Sequence, residues 1–163
     1  MSHPSSEEEI LKQLDLRVKD VMQASPLTVP ADGTVLQAAK AMEEQDSSVA
    51  FAQDEGKVVG IVTERDIARR VVAKGAAPDK TMVSAIMTSP IIVISPDAKI
   101  EEALKVMTTN KVRRLPVVDE KAGLTGMVAV ADIARALAEK AGYTSSLITA
   151  MTKESAPPRG VYE

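Results

Sequence analysis

Two short stretches carry side chains suited to gripping a phosphorylated sugar. The first is "TERD", Thr63 to Asp66, where a hydroxyl and a carboxylate stand three positions apart. A carboxylate held at the start of a helix can accept hydrogen bonds from both hydroxyls of a vicinal diol, and Thr63 can add a donor or an acceptor. The same pair also fits a capping box, in which the threonine and the acidic residue serve only the orphan N–H groups of a helix N-terminus. The two roles are compatible. The second stretch is "VRRLPVVD", Val112 to Asp119, with Arg113 and Arg114 directly ahead of an apolar run. A guanidinium fork matches phosphate oxygens, while solvated charge at a strand end is the plainer reading. Side chains alternate along a strand, so one arginine of the pair points away from where the other points.

Both stretches sit inside an internal repeat. "GIVTERDIARRV" (Gly60 to Val71) returns as "GMVAVADIARAL" (Gly126 to Leu137), keeping Gly, Val, Asp, Ile, Ala and Arg in register. Thr63, Glu64 and Arg65 become Ala129, Val130 and Ala131. Upstream, "VKDVMQASPLTVPADGTVLQAAKAM" (Val18 to Met42) matches "VSAIMTSPIIVISPDAKIEEALKVM" (Val83 to Met107) in outline. A repeat of this size buries too little surface to be comfortable alone, which implies two copies packed as one body.

The elements that must position these residues follow from local patterning. In the first copy the pattern predicts a strand over Leu27–Val29 and a helix through Val35 and Met42. A strand over Ser48–Gln53, a turn at "DEGK", a strand over Val58–Val62 and a helix over Glu64–Ala73 complete it. The second copy predicts a strand at Ile91–Ile94, a helix at Ala98–Thr109, strands at Leu115–Val118 and Leu124–Val128 around "DEKAG", and a helix at Ala131–Ala141. Gly60 and Gly126 read as places of close backbone approach. Arg65, Arg69, Arg70 and Arg135 read as solvated helix charges, with Arg65, beside Asp66, the best exception. The division is an acidic N-terminal helix or tail (1–17), a first repeat (18–75), a linker (76–82), a second repeat (83–141) and a C-terminal extension (142–163). Strand–helix–strand–strand–helix twice over predicts an α+β fold with a mixed sheet in each half.

Composition narrows the chemistry. The chain has 163 residues, 45% hydrophobic and 26% charged, with a formal net charge of -3. That is a globular balance with no field favouring nucleic acid or an anionic membrane. Cysteine is absent and the only histidine is His3, in a polar tail. A metal cluster, a thiolate or a Ser-His-Asp triad therefore has almost nothing to be built from. The three aromatics, Phe51, Tyr143 and Tyr162, are too scattered for a base-stacking platform. No run reaches the ~18 apolar residues of a membrane span. The opening "MSHPSSEEEI" lacks the pattern of a secretory leader, so the cytoplasm is the expected address. No nucleophile–base pair and no phosphate-cradling glycine loop is present, which predicts a protein without catalysis.

The paired motifs, in order, resemble a tandem of CBS domains, the arrangement called a Bateman module, over roughly Val18 to Lys140. The resemblance implies two β-α-β-β-α repeats related by a pseudo-two-fold axis, with ligands held in clefts between them. It implies that Thr63 and Asp66 serve a ribose and that the basic pair Arg113/Arg114 reaches phosphate. One cleft would combine Thr63 and Asp66 with Ile92, Val112, Arg113, Arg114 and Pro116. The other would combine Asp132 with Leu27, Ser47 and Ser48, the serines standing where the arginines stand in the second copy, and would be the weaker site. Ile92, Val93 and Leu27 could wall an adenine slot, though by themselves they are ordinary strand residues. The implied function is a regulatory sensor of an adenosine-containing nucleotide, AMP, ADP or ATP, with no required cofactor, acting as a homodimer on a downstream protein. An S-adenosylmethionine or NAD sensor and a ligand-free scaffold are the alternatives.

Overall fold

The computed structural model describes residues 12–140. The acidic segment before them and the C-terminal extension predicted over 142–163 lie outside the described residues, apart from a helical turn at 12–14. In chain order the elements are α1 (Val18–Val21), β1 (Gln23–Ala24), β2 (Thr28–Pro30), α2 (Val35–Glu44), β3 (Val49–Asp54), β4 (Lys57–Thr63) and α3 (Glu64–Ile67). Helix α3 runs directly into a π-helical turn, Ala68–Val72. Then come α4 (Val83–Ile86), α5 (Ile100–Asn110), β5 (Arg114–Asp119), β6 (Gly123–Ala129) and α6 (Val130–Lys140). This is the predicted α+β alternation, with two three-stranded sheets ordered β2-β3-β4 and β1-β6-β5.

Local chemistry accounts for the main elements. Helix α2 begins at a reciprocal box: the Thr34 hydroxyl accepts from the Gln37 N–H at 3.2 Å, and the Gln37 side-chain Oε1 accepts from the Thr34 N–H at 2.9 Å. Its buried face is Val35, Ala38 and Met42, and α5 repeats that spacing with Ile100, Ala103 and Met107. The sheet of β2, β3 and β4 is mixed. Strand β2 runs parallel to β3, with Thr28 opposite Phe51, and β4 returns antiparallel, with Val49 opposite Thr63. The turn between β3 and β4 places Glu55 and Gly56 at φ of 48° and 77°, the two left-handed residues of a tight hairpin.

The described residues form two compact units. One holds Ala24–Ile94 and Pro116–Met127, the other 12–23, Ser95–Leu115 and 128–140. In the first, Leu27, Val29, Ala31, Val35, Ala38, Met42, Ala50, Ala52, Val62, Val71, Val83 and Ile86 make one buried cluster. In the second, Val18, Ile100, Ala103, Met107, Leu115, Val128 and Ile133 are buried. Each repeat is completed by the short helix that opens the other. In the first unit Val83 N–H donates to the Gly33 carbonyl at 2.8 Å and Ser84 N–H to Ala31 at 2.9 Å; in the second, Val18 N–H donates to Ala98 at 2.8 Å and Lys19 N–H to Pro96 at 2.9 Å.

Two local expectations are corrected. The stretch Ile91–Ile94 is not a strand. Only Ile94 pairs, in a single parallel bridge to Val117, and Ile92 and Val93 are 37% and 46% exposed. In the first copy the Phe51 N–H donates to the Leu27 carbonyl at 2.9 Å; the partner strand here has Pro116 at that place, with no N–H to give to Ile92, so pairing stops at one residue. The helix expected over Glu64–Ala73 has the predicted extent but not one geometry. After one α turn it widens, with the Ala73 N–H reaching the Ala68 carbonyl five residues back at 2.9 Å. Its counterpart α6 is α-helical throughout.

Candidate functional site

Thr63 closes β4 and is the N-cap of α3, so "TERD" lies at a strand-to-helix junction as expected. The capping box is real. The Asp66 Oδ2 accepts from the Thr63 N–H at 2.8 Å and from the Thr63 hydroxyl at 3.1 Å, and the Thr63 Oγ1 accepts from the Asp66 N–H at 3.3 Å. This engages one carboxylate oxygen and leaves the other on a different side. Oδ1 faces the Arg70 Nε at 3.8 Å, beyond hydrogen-bond range, and the Asp66 side chain retains 14% of its exposure. The cap therefore fixes the carboxylate while leaving an acceptor to spare, which is what a diol needs.

The second copy shows what the box loses without its threonine. Asp132 Oδ2 still accepts from the Ala129 N–H at 2.8 Å, because that half of the box uses only the backbone of the cap residue. Capping thus explains the retained aspartate better than residue types alone suggest. Its other oxygen is occupied: Gln23 Nε2 donates to Oδ1 at 3.1 Å and Arg135 Nη1 approaches it at 3.4 Å. Asp132 is 2% exposed and is the buried charged residue of the described chain. Beside it, Leu16, Asp20, Val21, Arg135, Ala136, Glu139 and Lys140 line a cleft of about 480 Å³.

The remaining predicted residues fall on both units. With Thr63 and Asp66, the unit of the first repeat holds Leu27, Ser47, Ser48, Ile92 and Pro116, and the other holds Val112, Arg113, Arg114 and Asp132. Leu27 is buried in the core cluster. The Ser47 hydroxyl is spent on the Val49 carbonyl at 2.7 Å. Val112 is half-buried, Arg113 exposed, Arg114 half-buried and Pro116 buried. Hydrogen bonds set the equivalence of the two copies one residue later than the sequence alignment does. Val130 N–H donates to the Arg113 carbonyl as Glu64 N–H donates to Ser48, and Val112 N–H donates to Met107 as Ser47 N–H donates to Met42. Arg113 thus corresponds to Ser48 and Arg114 to the buried Val49.

Sequence reasoning missed three partners of the aspartates. Arg70 and Arg135, expected as solvated helix charges, both face them. The spacing of four between Asp66 and Arg70 was a legible signal. Gln23 on Asp132 bridges 109 residues and left no local trace. Gly60 fulfils its expectation: a Cβ there would lie 2.8 Å from Met87 Cγ and 3.1 Å from its Cβ. Among the described residues no cluster of His, Cys, Asp or Glu could hold a metal ion, and no helix is long and apolar enough to cross a membrane.

The family model described as CBS domain matches the chain twice, at residues 18–73 and 83–139. An uncharacterized protein of Methanopyrus kandleri is 36% identical over 115 residues, 71% of this chain and 57% of that protein, so the chain spans little more than half of that relative. The CBS domain-containing protein YhcV of Bacillus subtilis is 34% identical over 117 residues, 72% of this chain and 82% of the relative. Among solved structures, the CBS domain pair of protein MJ0100, in complex with 5-methylthioadenosine and S-adenosyl-L-methionine, superposes with a TM-score of 0.67 at 29% identity. The match covers 77% of this chain and 98% of that one. Two family matches in tandem, a solved CBS pair of the same fold and the duplicated strand-to-helix aspartates together assign the protein: it belongs to the CBS domain family and carries a CBS pair, a module that is in general regulatory rather than catalytic.

Proposed function

We propose that this CBS pair senses an adenine nucleotide, with the ribose on Asp66 and Thr63 and the phosphates on Arg113 and Arg114. The observation that carries the reading is the unequal state of the two aspartates. Asp66 is held by its own cap with Oδ1 still available, whereas Asp132 has both oxygens engaged. The phosphate half rests on the chemistry of adjacent guanidinium groups and on family membership. Ile92, exposed on an unpaired stretch, is a ready apolar wall for a purine. Leu27 and Ser47, taken up by core and loop, support a weaker second site. The protein acts as a homodimer on a protein partner, since two-fold closure is the usual assembly of small modules.

The neighbouring CBS pair seen with methylthioadenosine and S-adenosylmethionine favours one second reading, a ligand of that sulfonium or thioether class. Titration calorimetry distinguishes the two. One tight AMP site per chain is expected, with any second site at least about tenfold weaker. Asp66→Ala abolishes tight binding of AMP and adenosine alike. Joint replacement of Arg113 and Arg114 by Ala weakens AMP strongly and adenosine little, and reduces the salt dependence of AMP binding. Tight S-adenosylmethionine binding indifferent to the arginines supports the second reading. AMP binding lost in Asp132→Ala but kept in Asp66→Ala overturns the assignment of the site.

A further inference from the structure

We infer that Arg70 is a positioning residue for the ribose-reading carboxylate, tying Asp66 to the chain segment that leads to Ile92. The inference rests on the proposal that Asp66 holds the ribose. Arg70 lies one turn after Asp66, in the π-helical stretch Ala68–Val72. Its Nη1 donates to the Ile86 carbonyl at 2.7 Å and lies 3.3 Å from that of Met87, while its Nε stands 3.8 Å from Asp66 Oδ1. One planar guanidinium thus spans from the carboxylate to the last carbonyl of α4 and the first beyond it.

The chain just past α4 is itself held in place. Met87 packs on Gly60, with no room for a Cβ between them, and Thr88 is bridged to Ile61 by hydrogen bonds of 3.1 and 2.9 Å. Four residues after Thr88 stands Ile92, 37% exposed. The guanidinium therefore restrains Asp66 from the side its own cap leaves open, and refers its position to the segment expected to meet the base. π-Turns recur where a helix is shaped for function rather than for regularity.

The second copy has the same frame without the tie. The residue four after Asp132 is Ala136, and the helix ending at Val21 corresponds to the one ending at Ile86. Val21, Ala136 and Asp132 all line the one cleft beside that aspartate. Where the first copy has a guanidinium, the second has a cleft, and its aspartate is held instead by Gln23 and Arg135.

The role predicts a change in discrimination, not merely in affinity. Calorimetry with AMP and with 2′,3′-dideoxy-AMP reads the contribution of the diol as a ratio. The parent is expected to favour AMP by at least about tenfold, Arg70→Ala to reduce that ratio to about threefold or less, and Arg70→Lys, which keeps the charge without the fork, to fall between. Arg70 is 47% exposed in its side chain, and ligand-free melting of each variant reports on its fold separately. If Arg70→Ala weakens both ligands equally and keeps the parent ratio, Arg70 is structural only and the inference is overturned while the ribose reading stands. A parent that does not distinguish the two ligands overturns the ribose reading itself, and the positioning role with it.

Discussion

The junction of β4 with α3 and that of β6 with α6 present the same carboxylate in two states. Asp66 is capped through one oxygen and braced at a distance on the other. Asp132 is buried, with a backbone N–H, an amide and a guanidinium around it. One duplicated motif has diverged toward an accessible acceptor in one copy and a satisfied internal anchor in the other. Presence of the aspartate is thus a poor guide to its use, and the occupancy of its second oxygen is the better one.

That contrast is open to direct attack. The largest effect is expected at Asp132. Its replacement by alanine strips a buried carboxylate from three donors and should lower unfolding free energy by about 2–3 kcal/mol. Asp66→Ala, which removes the carboxylate half of the capping box at a partly exposed site, should cost about 1 kcal/mol. Urea denaturation of both variants checks the order, and equal losses would erase the distinction.

A smaller exchange sharpens the role of the threonine. Thr63→Ala removes the Oγ1 acceptor of the Asp66 N–H and should destabilise by about 1 kcal/mol, while Ala129→Thr supplies that acceptor to the second copy and should stabilise by about 0.5–1 kcal/mol. Thermal melts read both signs, and a loss in each would mean that Ala129 is kept for its size.

The smallest effect separates the hairpin turns. Asp119 Oδ1 accepts from the Lys121 and Ala122 N–H groups at 2.8 and 3.0 Å. The Ala122 bond, then the Lys121 bond, holds its carboxyl below the usual carboxylate value. A group depressed on folding contributes stability above its unfolded pKa, ordinarily about 4, and loses it as pH falls through the folded value. The chain should therefore soften slightly below pH ~4, and Asp119→Asn should remove that component from a pH series of melts.

Much of the fold was legible in the sequence because its causes are local. Alternation and helical spacing mark β3, β4, α2, α5 and α6, and Thr34, Thr63 and the glycine turns mark their ends. The arginine pair was legible as chemistry, but its register against the first copy was not. Sequence alignment matches residue types, whereas the equivalence of Arg113 with Ser48 is set by hydrogen bonds to Val130 and Glu64. The loss of strand at Ile91–Ile94 was equally hidden. Its residues are good strand formers, and the limit lies in the partner strand, where Pro116 has no N–H to extend the ladder beyond the bridge to Val117.

The sequence by itself determined that the fold is duplicated, that both copies start a helix with an aspartate, and that only one keeps a threonine beside it. These are properties of residue type and spacing, which short-range backbone geometry translates directly. Tertiary structure decided the rest: that Arg70 turns to the carbonyls of Ile86 and Met87, that Gln23 reaches Asp132 across the chain, and that each short helix completes the other copy. A hydrogen bond between distant residues carries no periodicity. It depends on which backbone groups the packed core leaves without partners, and that is known only once the chain has folded.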